Sequence, residues 1–339
     1  EFPAHAAQWD ALQCQSNHAA FLESHFLLPL LAEFGSGEEV LALHDVNDTL
    51  CAGTILRPCG KGRWETFQPS QVPLGAWTSG ASPHWKDLVI ELLAELPGLA
   101  LALGITQLDS MLQPRPAVNG TFRTQDYIDT AWVDVADSFD TYWDALGKNL
   151  RQNTKKQRNK LSAEGIETRL ECITDPAQVA QAMQDYGRLE SAGWKANSGT
   201  AIHPDNAQGR FYRKMLENYC TLGRGRIYRY RFGDKVVSMD LCIDSGPLII
   251  ILKTTYDESY KNVSPSTLMR QDQFRQLFEE ARYKRIEFYG KIMEWHTRWT
   301  SNARPIYHAT CYRWPIINTL HLRLTKRSLS ANNPADAGN

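Results

Sequence analysis

The same order of secondary-structure elements is predicted twice along this chain of 339 residues: strand, turn, strand, strand, helix and strand. In each half, two strands flank a tight turn, at Asn47-Asp48 in the first half and at Gly233-Asp234 in the second. The third strand leads into a helix with one apolar face. The repeated order indicates a structural duplication, although any mixed α/β chain can be divided in this way and the residue-level similarity between the halves is slight.

The predicted elements set the limits of both halves. The first half has predicted strands at residues 40–43, 50–56, 64–67 and 99–103 and a helix at 83–96. The second has predicted strands at 226–232, 236–243, 248–255 and 285–289 and a helix at 265–281. Between them we expect a strand at 127–135, a long helix from about Phe139 and a helix at 176–190. We predict an N-terminal domain over residues 1–135, a C-terminal domain over 136–327 and a disordered tail over 328–339.

The amino-acid composition restricts the classes of molecule that the chain can be expected to bind. Its 37 Lys and Arg residues balance 38 Asp and Glu residues, so no overall charge attracts it to nucleic acid or to a membrane. No apolar run approaches the length of a membrane span, and the first residues do not resemble a signal segment. The seven cysteines form no C-x-x-C pair, and neither they nor the nine histidines cluster as metal ligands. We expect reduced thiols, no bound metal and a cytoplasmic location.

The segment from Leu248 to Thr267 has the features of an anion site. Its strand begins with a continuous apolar run, which is typical of a strand covered on both faces. The strand leads to a helix for which Ser264 is a suitable N-cap and Pro265 a suitable first residue. Unpaired N–H groups and the positive end of the helix dipole favour an anion at that point. An ordinary capped helix without a ligand would have the same residues.

A carboxylate occurs within the strand predicted at residues 236–243. Val237 and Met239 alternate with Ser238 and Asp240, so the polar residues share one face of the strand. On that face Asp240 is a candidate general base or an anchor for an amine. A solvated sheet face is the alternative interpretation.

Three segments resemble one family of acyltransferases. The run from Tyr256 to Leu268, Tyr-Asp-Glu-Ser-Tyr followed by Ser-Pro-Ser-Thr-Leu, is similar to a signature of GNAT-superfamily acyltransferases related to a protein encoded with bacterial cellulose-synthesis genes. That family's E-x-x-x-W-K, G-x-x-I and F-Y elements resemble the segments beginning at Glu190, Gly199 and Phe211. Its closing elements resemble Lys291 and Trp299-Thr300. The resemblance covers about half of the chain, and one departure is Ser266, where the family has Gly.

The resemblance implies two tandem GNAT-like α/β domains, each a mixed, mostly antiparallel sheet flanked by helices. It also implies acyl transfer from acetyl-CoA or another acyl-CoA to a primary amine of a small molecule, without a metal. Backbone groups of Leu252, Lys253 and Thr254 would orient the donor. Its phosphates would lie at Ser264, Ser266 and Thr267. The resemblance and the strand positions together give Asp240, Tyr256, Tyr289 and Glu190 as catalytic candidates, and Trp194, Lys195, Lys291 and Trp299 as candidates for binding the acceptor.

A basic helix supports a competing hypothesis. Residues 148–161 carry six cations and no acidic residue, which is typical of a solvated helix face or of a surface that contacts phosphates. The tandem layout also resembles that of Fem-type transferases, which take an aminoacyl group from transfer RNA. The near-zero net charge favours coenzyme A over RNA as the donor carrier. A catalytically silent GNAT-like binding protein is the third hypothesis, because Ser266 replaces the expected Gly.

Overall fold

The computed structural model describes residues 2–15, 19–79, 85–191 and 202–331, with side chains described as far as residue 323. The helices are α1 (Phe2–Gln15), α2 (Ser24–Phe34), α3 (Trp85–Glu95), α4 (Phe139–Ala145), α5 (Lys148–Ala163), α6 (Pro176–Ser191), α7 (Ala207–Thr221), α8 (Pro265–Glu279) and α9 (Pro315–Ala331). The strands are β1 (Val40–Val46), β2 (Thr49–Pro58), β3 (Arg63–Thr66), β4 (Trp77–Thr78), β5 (Ala102–Asp109), β6 (Phe122–Asp134), β7 (Thr168–Ile173), β8 (Gly225–Phe232), β9 (Lys235–Ser245), β10 (Leu248–Tyr256), β11 (Arg285–Glu287) and β12 (Ala303–Tyr312).

The chain forms two compact units from interleaved segments. Unit 1 consists of residues 1–17, 36–128 and 305–339, and unit 2 consists of residues 18–35 and 129–304. Each unit therefore contains residues from both the N-terminal and the C-terminal half of the sequence. The domain limits expected from the sequence remain a prediction.

Unit 1 contains the strand order β1-β2-β3-β5-β12, with β4 paired to β2. The turn between β1 and β2 holds Asn47 and Asp48 at φ values of 52° and 60°, the conformation of a two-residue hairpin turn, as predicted. Strands β2 and β3 are antiparallel, and α3 connects β3 to the parallel strand β5. The indoles of Trp77 and Trp85 pack edge to face in the core of this unit.

Unit 2 contains the order β11-β10-β9-β8-β7, with the end of β6 paired to β11. Strands β9 and β10 are antiparallel, and α8 connects β10 to the parallel strand β11. The same topology thus occurs in both units, which confirms the repeated order. The predicted mixed α/β fold with a mostly antiparallel sheet flanked by helices is also confirmed.

Several predicted limits were wrong. The single long helix expected from Phe139 is two helices, α4 and α5, because the chain is extended at Leu146 and Gly147. Strand β5 begins at Ala102 instead of residue 99, and Leu99 is 64% exposed. Strand β11 ends at Glu287, since Tyr289 has a φ of 51° that a continued strand does not allow.

Candidate active site

Strand β10 has an open edge over much of its length. On the β11 side, pairing covers only Leu248, Ile249 and Ile250. On the β9 side, pairing continues to Tyr256, with a register shift between Ile251 and Lys253 that leaves Leu252 as an extra residue. Among the described residues, no strand pairs with the β11-side edge beyond Ile250. Backbone N–H and C=O groups on such an edge can bond to a ligand.

The open edge leads to the N-terminus of α8. Ser264 is the N-cap residue, as predicted, and Pro265 is the first residue of the helix. The Ser264 side chain makes no cap hydrogen bond, and its backbone is left-handed with a φ of 50°. A left-handed non-glycine residue stores strain of about 1–3 kcal/mol, a feature that is concentrated at functional sites.

A cavity of about 440 Å³ lies at this helix N-terminus. Ser264 and Thr267 line it, as do amides on one face of α5. Arg298 adds a cation and Glu294 a carboxylate, and these two side chains form an exposed ion pair of 2.7 Å. The cavity is polar, and two of the three predicted phosphate-binding residues line it.

The third predicted residue, Ser266, does not line this cavity. Its hydroxyl lies 3.0 Å from that of Ser238 on β9, and Ser238 in turn donates to the carbonyl of Thr255. The side chain thus joins the start of α8 to the sheet. The replacement of Gly by Ser at this position leaves the cavity open.

Asp240 is fully buried and ion-paired, which excludes the solvated-face interpretation. Its Oδ2 accepts a hydrogen bond from Nη2 of Arg270 at 3.0 Å, and its Oδ1 accepts one from the hydroxyl of Thr254. The Arg270 guanidinium lies 4.5 Å from the ring of Trp295. Both oxygens of Asp240 are therefore engaged, and the side chain holds α8 against β9 and β10. Its catalytic role remains a prediction.

Glu190 belongs to a second buried cluster. Its Oε2 accepts from the N–H of Ile202 at 2.7 Å, and its Oε1 accepts from the hydroxyl of Tyr186 at 3.4 Å. Burial first, and then the nearby Glu190, raise the pKa values of Tyr186 and Tyr212 above the ordinary range. The ammonium of Lys253 lies 5.8 Å from the Tyr212 ring. The structure thus places Tyr212 next to two predicted site residues, Glu190 and Lys253.

The remaining predicted residues are spread over different environments. Tyr256 is 39% exposed at the end of β10, whereas Tyr289 is buried, with its ring 5.0 Å from the Arg304 guanidinium. Lys291 is exposed, and Trp299 packs in the core against Phe274. Trp194 and Lys195 lie outside the described residues.

Sequence reasoning did not identify Arg270, Trp295 or His296. The imidazole of His296 stacks on Trp295, and its Nδ1 accepts from the N–H of Met293 at 2.8 Å. Burial first, and then the Arg270 charge, lower the pKa of His296 to about 4. One signal for Arg270 was available: Asp240 lies between apolar residues of β9, and a carboxylate that becomes buried requires a cation on a neighbouring element.

Two further observations concern metals and membranes. Within the described ranges, no group of three or more His, Cys, Asp or Glu residues is placed to hold a metal ion. No helix in the same part of the chain combines the length and hydropathy of a membrane span.

Comparison with known proteins adds a family match and a shared fold. Residues 148–297 match the family model described as an acetyltransferase (GNAT) domain. No curated protein matches the chain.

Three solved structures share the fold over nearly the whole chain. The C-terminal domain of a putative lysylphosphatidylglycerol synthetase from Agrobacterium fabrum is 12% identical, with a TM-score of 0.60 and coverage of 95% of each chain. FemX is 8% identical, with a TM-score of 0.60 and coverage of 94% of this chain and 98% of its own. A conserved protein of unknown function from Bacteroides thetaiotaomicron is 10% identical, with a TM-score of 0.58 and coverage of 91% and 97%. Together, the family match over residues 148–297 and these shared architectures give the chain a GNAT acyltransferase-type fold.

Proposed function

We propose that unit 2 transfers an acyl group from an acyl-CoA to a primary amine of a small molecule. The observation that carries the proposal is the open edge of β10, which follows the extra residue Leu252 and leads to the N-terminus of α8. Such an arrangement offers backbone groups to an extended donor and a positive dipole end to its phosphates. The narrower relationship to the cellulose-associated family remains part of this proposal.

Each part of the donor has a place in this arrangement. Backbone groups of Leu252, Lys253 and Thr254 would orient the thioester carbonyl along the open edge. The phosphates would lie in the cavity at Ser264 and Thr267, with the Arg298 cation at its margin. Ser266 would act indirectly, since its hydroxyl fixes the helix start to Ser238.

The reaction requires the movement of two protons. The amine must lose a proton before its nitrogen attacks the thioester carbonyl, a C–N bond forms as the C–S bond breaks, and the leaving thiolate takes up a proton. Glu190 is our candidate for the first transfer, because its carboxylate is buried close to Tyr212, the ring that the ammonium of Lys253 approaches. Tyr256 is our candidate for the second, because it is exposed at the end of the open strand. Asp240 would position Thr254 and α8.

Calorimetry with acetyl-CoA, longer acyl-CoAs and free coenzyme A tests the proposal. Thr267→Trp should fill the cavity and abolish binding, while Ser162→Trp, at an exposed site on α5, should leave it unchanged. A wild-type protein that binds none of these compounds, or a folded Thr267→Trp variant that binds normally, would contradict it. Release of free thiol with a panel of amines would identify the acceptor and exclude a catalytically silent protein.

The cations of α5 favour a second candidate, aminoacyl transfer from transfer RNA. Lys155 and Lys156 are exposed, and Lys155 lines a surface cavity of about 540 Å³ with Trp143 and Arg151. The fold shared with FemX and with a putative lysylphosphatidylglycerol synthetase is compatible with this candidate. It predicts salt-sensitive transfer RNA binding.

Charge reversal separates the two candidates. Lys155→Glu with Lys156→Glu should weaken transfer RNA binding, whereas Lys214→Glu, at an exposed site on α7, should weaken it much less. Equal affinity of wild type and double variant would remove the support for this surface. Under either candidate we propose a cytoplasmic location, since all seven cysteines are free thiols.

A further inference from the structure

Unit 1 contains a cavity of about 450 Å³ to which the proposed acyl transfer assigns no role. It lies between one face of the sheet and α9. Arg63 and Glu65 of β3, and His308, Thr310 and Tyr312 of β12, line it from alternate positions, as side chains on one sheet face do. Its volume is within the usual range of small-molecule sites. The cavity is thus large enough for a ligand of its own.

The lining carries an excess of positive charge. Lys61, Arg63 and Arg123 line the cavity, and within the described part of the chain no carboxylate lies at ion-pair distance from any of them. The single carboxylate of the lining, Glu65, is bound by Arg57 at 2.6 Å from outside it. Three cations therefore remain for an anion.

Both arginines lie close to the same two rings, Tyr312 and His321, which also line the cavity. Burial raises the pKa of Tyr312, and the charges of Arg123 and Arg63 oppose that rise. Burial lowers the pKa of His321, and Arg63 and Arg123 lower it further. The rings of Tyr312 and His321 lie 5.8 Å apart and line the cavity together with Arg63 and Arg123, so both charges act in one part of the lining.

A strained turn holds Lys61 at the cavity. Gly60, Lys61 and Gly62 have consecutive φ values of 73°, 53° and 70°. The N–H of Leu101 donates to the carbonyl of Gly62 at 2.7 Å, which ties the turn to the chain leading into β5. A lysine is disfavoured at a left-handed position where glycine would be free of strain. The turn thus retains a cation where the backbone alone would favour glycine.

A neutral histidine adds a hydrogen-bond donor. Nδ1 of His308 accepts from the N–H of Gln107 at 3.1 Å, so the ring proton lies on Nε2. Ile105, Ile317 and Leu320 add apolar surface to the lining. The cavity therefore combines cations, a donor and an apolar wall.

We propose that this cavity binds a small organic anion whose phosphate or polycarboxylate group carries at least two negative charges. Guanidinium groups bind both kinds of group through paired N–H donors, and the apolar wall would contact the rest of the ligand. The site is independent of the acyl-transfer proposal, since binding here requires neither coenzyme A nor an amine.

Calorimetry with inorganic pyrophosphate and with citrate, at low and at physiological ionic strength, tests this site. Wild type should bind at least one of them, more weakly as salt increases. Binding of pyrophosphate alone assigns a phosphate ligand, and binding of citrate alone assigns a polycarboxylate. Absence of binding by both would overturn the proposal.

Two variants and a control locate the binding. Lys61→Gly should weaken binding about 10-fold while the melting temperature is kept or raised, because glycine accepts the left-handed turn. Arg63→Ala should weaken binding to a similar extent. Arg115→Ala removes the same charge elsewhere in unit 1, where Arg115 pairs with Asp126, and should have no effect on affinity. Wild-type affinity in Lys61→Gly and Arg63→Ala would place the anion elsewhere and overturn the assignment.

Discussion

The guanidinium of Arg270 lies 3.0 Å from the carboxylate of Asp240, and both side chains are buried, with 3% and 0% of their surfaces exposed. Arg270 comes from α8 and Asp240 from β9, so the pair joins a helix to the sheet beside Thr254 of β10. Removal of one partner would leave an uncompensated buried charge.

Arg270→Met should therefore destabilise the protein by about 3–5 kcal/mol, measured by urea unfolding. The combined Asp240→Leu and Arg270→Met variant should recover part of this loss, because no lone charge remains buried. Arg213→Ala breaks the exposed pair with Glu217 and should cost less than about 1 kcal/mol. Equal losses in Arg270→Met and Arg213→Ala would show that the Asp240 pair is unimportant for folding.

His296 should make stability depend on pH. Its folded-state pKa of about 4 lies below its ordinary value of 6.5, so the unfolded chain binds the proton more tightly. Stability should thus fall as the pH decreases from about 6.5 to 4, by up to roughly 3 kcal/mol from this group. His296→Gln should reduce that slope in urea titrations, while replacement of the exposed His203 should not. An unchanged slope in His296→Gln would contradict the assignment.

Gly209 should not tolerate a side chain. A Cβ atom there would lie 1.9 Å from the carbonyl oxygen of His203, a backbone atom that cannot move away on its own. Gly209→Ala should cost about 1–3 kcal/mol in unfolding free energy, the usual range for overpacking. Gly147→Ala is the matched control, since nothing lies within 4 Å of its added Cβ. Similar stability of the two variants would show that the backbone at residue 203 can move away from the added Cβ at little cost in free energy.

Tyr256→Phe should lower kcat without lowering the stability of the fold. If the phenol donates a proton to the leaving thiolate, its removal should lower kcat by about 100-fold or more. Stability should change little, because Tyr256 is 39% exposed. Tyr127→Phe, at a residue 49% exposed in unit 1, should leave both kcat and stability unchanged. Wild-type kcat in Tyr256→Phe would exclude it as the proton donor.

Local sequence patterns predicted most of the repeated elements but not the contacts between distant segments. The hairpins at Asn47-Asp48 and Gly233-Asp234 depend on adjacent residues, and both formed as expected. The pairing of Asp240 with Arg270 joins residues that are 30 positions apart and depends on how α8 lies on the sheet. The role of Ser266 likewise depends on its packing against Ser238.

The assignment of segments to the two units could not be predicted from local sequence patterns either. Residues 18–35 belong to unit 2, where Glu23 pairs with Arg224 at 2.7 Å and the hydroxyl of Tyr219 donates to Ala20. Nothing in the local pattern of these residues indicates a partner about 200 positions away. Strands β7 and β12 and helix α7 were also missed, although Leu170 and Cys172 alternate with charged residues in β7 and the buried residues of α7 recur at helical spacing.

The extra residue Leu252 changes the side of the sheet that each later residue of β10 faces. With regular pairing, Lys253 would stand opposite Asp240, and Thr254 opposite Met239. The observed register instead pairs Lys253 with Leu241 and Thr254 with Asp240. Because of this one extra residue, Asp240 pairs with Arg270, and the ammonium of Lys253 lies on the opposite side of the sheet, beside Tyr212. Two cations that would compete for one carboxylate are thereby kept apart.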